Sequence, residues 1–380
     1  MFVPRSLSPP SSLRVAIPAS LGLLALVLGG CSGAAPSSTT SSSGGTSPAS
    51  QSSPLDRYRL TGDVSFVRDP SIIRQGTTYY AFSTDPGPGA VAANPELGLS
   101  NNLQIRCSTD TIAWKICGSV FTAVPPAVLA VFPDFTTFWA PDISFFNGLY
   151  HVYYAASSFG QNHSLIGLAT NTTLNASDPA YKWVDRGIVL SSQMTDNFNA
   201  IDPNILIDTD ATGNQTHVWL QYGSYWGGIY QREIDPATGM LSTTNTTINN
   251  LAFRSGIPND PIEGTSLVHK NSYYYLFVSF DYCCASNYTQ SNYKIAVGRS
   301  TSANGPFVDQ AGSPMLQGGG TILLQGNGTT WGAPGGQTIY IDPVEGDRIT
   351  FHALNLAQNG LAYLFVNSIT WTDDWPAIQP

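Results

Sequence analysis

The apolar positions of this 380-residue chain come in short runs, most of them opened by an acidic residue beside or near a proline. Each run is followed by a turn and a second run rich in aromatic residues. The clearest copy is NAIDPNILID, from Asn199 to Asp208, followed by THVWLQYGS. DPSII from Asp69 leads into GTTYYAFST, PDISF from Pro141 into NGLYHVYYAAS, and a degenerate PIEGTSL from Pro261 into NSYYYLFVSF. The acidic members Asp69, Asp142, Asp202 and Glu263 are 73, 60 and 61 positions apart. A fifth run, DRITFHALN from Asp347, has the strand without the acidic opening. Short runs rich in β-branched and aromatic residues, bounded by Gly and Asn turns, predict strands. Their recurrence at this period predicts a radial array of small antiparallel sheets, an all-β, five-bladed β-propeller.

In such an array the innermost strand of every blade starts near one end of the central axis, so equivalent residues converge although they are far apart in the chain. Asp69, Asp202 and Glu263 then form one carboxylate cluster, and paired carboxylates are the equipment of glycoside hydrolysis. The alternative for any one of them is a turn cap, because Asp before Pro commonly starts a turn. Three in register weigh against it. Asp142 reads as a residue that hydrogen-bonds neighbouring backbone rather than as a fourth acid. Phe138 and Trp139 precede it, offering either a stacking face for a sugar ring or ordinary core packing. The third aromatic run ends by delivering Ser224, Tyr225 and Trp226 toward a surface. His352 lies mid-strand in ITFHALN, which suits a core histidine or a metal ligand.

Composition narrows the setting. Charged residues are 11% of the chain and the net charge is −9, a surface that disfavours nucleic acid and tolerates a neutral sugar polymer. Residues 1–34, with Arg5 and Arg14 ahead of VAIPASLGLLALVLGG, read as a signal peptide and imply secretion to an extracellular setting. An uncleaved membrane anchor is the alternative, and LGGC at Leu28–Cys31 resembles a lipid-attachment box. Seven Asn-x-Ser/Thr sequons, at Asn162, Asn171, Asn175, Asn214, Asn245, Asn287 and Asn327, favour a eukaryotic secretory route instead. Residues 35–56 are a Ser/Thr/Gly/Pro-rich segment that predicts a disordered linker, leaving 57–380 as the catalytic propeller. Cys107 and Cys117 flank a polar turn and suit a hairpin disulfide. The adjacent Cys283 and Cys284 could pair with one another, stay free, or line a pocket.

The ordered set VRDPSII, FWAPDI, NAIDPNI, YGSYWGGIY, IEGTSL, CCASNYTQSNYKIAVGRS and WTDDWP resembles glycoside hydrolase family 43, and within it the arabinan endo-1,5-α-L-arabinosidases. The resemblance runs from about residue 57 to 380. It implies an inverting glycosidase with Asp69 as general base, Glu263 as general acid and Asp202 tuning and orienting the acid. It also implies that Asn199, Ala200, Ile201, Ser224, Tyr225 and Trp226 contact the substrate, with Phe138 as a stacking platform. The substrate implied is arabinan or an arabino-oligosaccharide, with no organic cofactor, calcium held through His352, and a monomer with no protein partner. An exo-acting arabinofuranosidase, a β-xylosidase or a non-catalytic carbohydrate-binding propeller are the rival readings. Three departures from the family pattern stand out: Arg68 where a histidine is usual, Gly264–Ser266 after the acid, and Ala333–Gly336 in place of Gly-Pro-Gly-His.

Overall fold

The computed structural model describes residues 53–210 and 212–380, which form five sheets taken in chain order around a common axis. The innermost strands are Arg68–Gln75, Trp139–Phe146, Asn204–Thr209, Ile262–Lys270 and Trp331–Tyr340. The second strands are Thr78–Thr84, Leu149–Ser157, Gln215–Tyr222, Tyr273–Phe280 and Arg348–Asn355. The short apolar runs of the repeat thus supply the innermost strands, and the aromatic runs the second strands. DRITFHALN is a second strand too; the innermost strand of its blade is WGAPGGQTIY. Prolines are tolerated at the innermost position because that strand has one edge without a ladder partner, where a missing N–H costs nothing.

The equivalent positions differ from those read off the acidic residues. In four blades the pairing of innermost and second strand skips at the same place, between Arg68 and Ser71, Trp139 and Asp142, Glu263 and Ser266, and Gly335 and Thr338. At that place every blade has a left-handed residue: Asp69 (φ +48°), Ala140 (+35°), Asp202 (+55°), Gly264 (+60°) and Gly336 (+58°). Asp142 therefore aligns with Ser71 and Asn204, two residues farther on, and Glu263 stands one residue before its blade's left-handed position. A bulge of this kind re-aims a side chain. Asp is one of the few L-residues that adopts the conformation readily.

Two residues beyond each bulge, a side chain accepts a backbone N–H from the next blade. Ile143 donates to Ser71 Oγ (3.1 Å), Ile205 to Asp142 Oδ2 (2.9 Å), Leu267 to Asn204 Oδ1 (2.8 Å) and Ile339 to Ser266 Oγ (3.1 Å). The circuit closes where the Thr338 and Thr350 hydroxyls donate to the Pro70 carbonyl. The four N–H donors are buried backbone groups that would otherwise be left unpaired. Asp142 accepts two further bonds, from Ser71 Oγ (3.2 Å) and Asn204 Nδ2 (3.1 Å), so it ties three blades together, as its backbone-bonding reading anticipates.

Apolar side chains fill the spaces between blades, with Phe82, Phe138 and Tyr154 between the first and second, and Tyr275, Phe277, Phe351 and Phe365 between the fourth and fifth. The fold begins before residue 57. Pro54–Arg57 forms a 3-10 turn with Leu55 fully buried in the last of these clusters, so residues 53–56 are not the disordered linker that their composition suggests. Backbone at 64–67 then runs beside the fifth blade, with Leu364 N–H donating to Val64 O (2.8 Å). The proposed signal peptide and residues 35–52 lie outside the described residues. Cys107 bridges to Cys117 on the neighbouring strand, and Cys283 pairs with Cys284. Two sequons are sealed: Asn171 is buried, as is Asn162, whose amide donates to Asp196 O (2.8 Å) and Phe198 O (3.1 Å).

Candidate active site

Asp69 and Asp202 occupy two of the five left-handed positions, Asp69 on the innermost strand of its blade and Asp202 two residues ahead of the innermost strand of the next blade but one, at the same end of the axis. Asp69 Oδ2 accepts from Thr84 Oγ1 (2.6 Å), and its side chain keeps 30% of its surface open to solvent. Burial raises its pKa, while the Thr84 bond and the Arg68 guanidinium oppose the rise. Arg68 lies beside Asp69, and its Nη1 reaches Cys284 Sγ (3.7 Å) on the fourth blade. Gly336 makes room for Asp69: a Cβ there would stand 2.2 Å from Oδ1.

Glu263 is buried, with Oε2 accepting from Ser224 Oγ (2.6 Å). Burial, and then the negative charge of Asp69, push its pKa up to about 7 against the pull of the Ser224 and Tyr293 hydroxyls. Asp202 accepts the Gly264 N–H at Oδ2 (2.8 Å), a bond from the residue next to Glu263. Burial and the charges of Glu263 and Asp69 hold Asp202 well above the usual carboxylate range. Two carboxylates that repel one another in a desolvated site retain a proton between them at neutral pH. Asp69 is the member flanked by a cation, so the cluster contains one carboxylate suited to ionisation and a pair suited to holding an acid proton.

Several of the expected substrate contacts lie elsewhere. Phe138 has 0% exposure and is enclosed by Phe121, Phe135 and Tyr154, so it is a core residue and cannot stack on a sugar. Asn199, Ala200 and Ile201 are buried as well. Asn199 Oδ1 accepts from Ser164 Oγ (2.6 Å) and Ala200 N–H donates to Ser192 Oγ (2.9 Å), anchoring the segment that carries Asp202 instead of facing solvent. Ser224 is buried against Glu263. Tyr225 and Trp226 remain accessible, Trp226 at 39% exposure, on two successive left-handed residues.

Other residues of the site carry no signal of their own in the sequence: Thr84, Tyr293, Ser279 and Gln337 become neighbours only when blades one, four and five close. Exposed aromatics Phe159 and Tyr282 were equally silent. They follow the second strands of the second and fourth blades, at the same end of the axis as Trp226 on the third. A hollow of about 500 Å³ lies on the flank between Thr78, Lys115 and Ala176 and holds none of the three acids.

His352 is 1% exposed. Its Nδ1 lies 3.2 Å from Asp69 N and 3.6 Å from Asp69 Oδ1, while Nε2 has no partner among the described residues. Burial and Arg68 keep the ring neutral. The described residues contain no group of three or more His, Cys, Asp or Glu able to hold a metal. Calcium takes six to eight oxygen ligands and His352 offers none, so water would have to supply the shell of an ion there.

Known proteins resemble this chain over most of its length. The chain is 38% identical over 314 residues to the extracellular endo-alpha-(1->5)-L-arabinanase 1 of Bacillus subtilis, covering 82% of this chain and 87% of that protein. It is 34% identical over 323 residues to the extracellular exo-alpha-(1->5)-L-arabinofuranosidase ArbA of Cellvibrio japonicus, covering 82% and 86%. The solved GH43 endo-arabinanase from Bacillus licheniformis superposes with a TM-score of 0.72 at 37% identity, over 84% of this chain and all of that one. The model of the glycosyl hydrolases family 43 matches residues 64–376, and with five blades and the acid cluster in place the chain belongs to that family and is a glycosidase.

Proposed function

We propose that the protein is a secreted arabinanase that cleaves internal α-1,5-L-arabinofuranosidic bonds with inversion of configuration. The arrangement that carries the reading is one carboxylate cluster in which Asp69 lies beside the Arg68 guanidinium and accepts from Thr84, while Glu263 is buried against Ser224 with its pKa raised to about 7. Inversion needs one carboxylate to activate water while an acid protonates the leaving oxygen. In this reading a water held by Asp69 attacks the anomeric carbon and gives its proton to Asp69. Glu263 transfers its proton to the departing glycosidic oxygen as the C–O bond breaks. Asp202, raised alongside Glu263, keeps the shared proton available and orients the backbone next to the acid through Gly264.

Internal cleavage draws support from the row of exposed aromatics Phe159, Trp226 and Tyr282 on three consecutive blades, a surface on which a polymer can lie across the cluster. Secretion draws support from the apolar N-terminal run and from relatives named as extracellular. Calcium, in this reading, is a water-coordinated ion beside His352, whose Nδ1 accepts the Asp69 N–H so that the proton of the neutral ring sits on Nε2 and faces the ion's water shell. It would supply positive charge beside the base. Calorimetric titration of chelator-stripped protein tests that placement, since a His352→Ala variant binding calcium as the parent does would remove it.

The activity is tested on linear debranched arabinan. Mixed oligomers appearing early, with the β-anomer formed first as followed by proton NMR, are expected. Release of one short product from the first minutes would transfer the protein to the exo reading, and no reducing ends at all would make it a binding module.

A further inference from the structure

We propose that Tyr293 is a positioning residue for the acid, its hydroxyl moving from Ser279 to Glu263 as Glu263 gives up its proton. The proposal rests on the reading of Glu263 as the proton donor and deepens it. Tyr293 immediately precedes the third strand of the fourth blade and is 2% exposed. Its ring lies flat against the backbone of Gly335, where a Cβ would stand 2.1 Å from the ring, and its hydroxyl stands over Gly264, between Glu263 and Ser279. Two consecutive glycines in the fifth blade therefore serve two different partners, Gly335 the tyrosine and Gly336 the base.

The direction of the hydrogen bonds is forced from outside. Gln337 Nε2 donates to the Gly264 carbonyl (2.6 Å), which turns Gln337 Oε1 toward Ser279. Ser279 Oγ spends its only proton on that oxygen (2.7 Å) and accepts from Gly336 N–H (2.9 Å). Ser279 can consequently only accept from Tyr293. Tyr293 in turn must donate, because a phenol keeps its proton at neutral pH and Ser279 has none left to give it. It has two acceptors to choose between: Ser279 Oγ, and the Glu263 carboxylate that already receives Ser224 Oγ–H.

A donor that strengthens as its acceptor becomes an anion favours the transition state over the ground state. While Glu263 is protonated, Tyr293 gains as much from Ser279. As the proton leaves for the glycosidic oxygen, the growing charge on Glu263 draws the Tyr293 hydroxyl, and no proton leaves tyrosine. The other groups facing Glu263 oppose its ionisation or do not titrate with it: Asp69 and Asp202 are anionic or share its proton, Tyr225 stays protonated, and His352 is neutral. Arg68 is a cation that bears on Asp69 and Tyr293.

Tyr293→Phe keeps the ring on Gly335 and deletes the hydroxyl. On arabino-oligosaccharides, kcat is expected to fall about ten- to a hundredfold with KM little changed. The alkaline limb of the kcat profile should move upward by about one unit, because losing a donor to the ionised form raises an acid's pKa. Placing 3-fluorotyrosine at 293, which preserves shape and strengthens the donor, should move the same limb downward, and it serves if the phenylalanine variant does not fold. Coincident alkaline limbs, or a loss expressed wholly in KM, would overturn the proposal. An inactive parent protein would instead overturn the glycosidase reading, so the two failures are distinguishable.

Discussion

Asp142 on the innermost strand of the second blade and Asp202 just ahead of that of the third both adjoin prolines, and burial raises the pKa of both. They differ in what receives them. Asp142, pushed up to about 7, accepts three bonds from two other blades and faces no other acid. Asp202 accepts one N–H and faces two carboxylates. A buried carboxylate with its lone pairs filled holds a structure together, whereas one left short of donors beside like charges is poised to exchange a proton. The count of donors separates the two roles where the pKa direction alone does not.

The widest separation is expected from the proposed reacting acids. Glu263→Gln and Asp69→Asn should each lower kcat on arabinan by about 10³-fold or more while leaving the melting temperature close to the parent's. A folded Glu263→Gln enzyme at full rate would move the acid role elsewhere. Asp142→Ala should do the reverse, costing about 3 kcal/mol in urea unfolding, since Ile205 N–H and its companions lose their acceptor. Activity per folded molecule should survive in that variant; if it collapses with stability intact, the donor-count argument fails.

Next in size, Gly336→Ala drives a methyl group into Asp69 and is expected to cost about a hundredfold in kcat, although it lies in a different blade. An unperturbed rate would show that Asp69 has slack. Smaller still is the pH dependence. With Glu263 raised to about 7 the acid is lost as pH climbs through that value, and with Asp69 raised above the ordinary range the base is lost as pH falls through its own, giving a bell. Asp202→Asn should lower the alkaline limb by removing a like charge. Trp226→Ala is expected to raise KM only a few-fold, measured by initial rates on arabino-oligosaccharides.

The fold was legible because a propeller repeats its signal: aromatic second strands and Pro-marked innermost strands recur five times. The register was less so. Acidity marks Asp69 and Asp202 but misplaces Asp142 and Glu263, since the shared feature is a backbone conformation that Ala140, Gly264 and Gly336 adopt without any carboxylate. The buried aromatic Phe138 shows the same limit from another side, as an aromatic next to a site motif looks alike whether it faces sugar or core. Tyr293 and Gln337 were invisible in the chain because their meaning arises from contacts between the fourth and fifth blades, with no local pattern to announce them.

The sealed amide of Asn162 bears on how the chain matures. Its two acceptors belong to the segment leading into the third blade, so an oligosaccharide attached there during synthesis would wedge the second and third blades apart and take Asp202 out of alignment. A cell that decorates such sites would obtain active enzyme only from molecules whose folding outran the transferase at that asparagine.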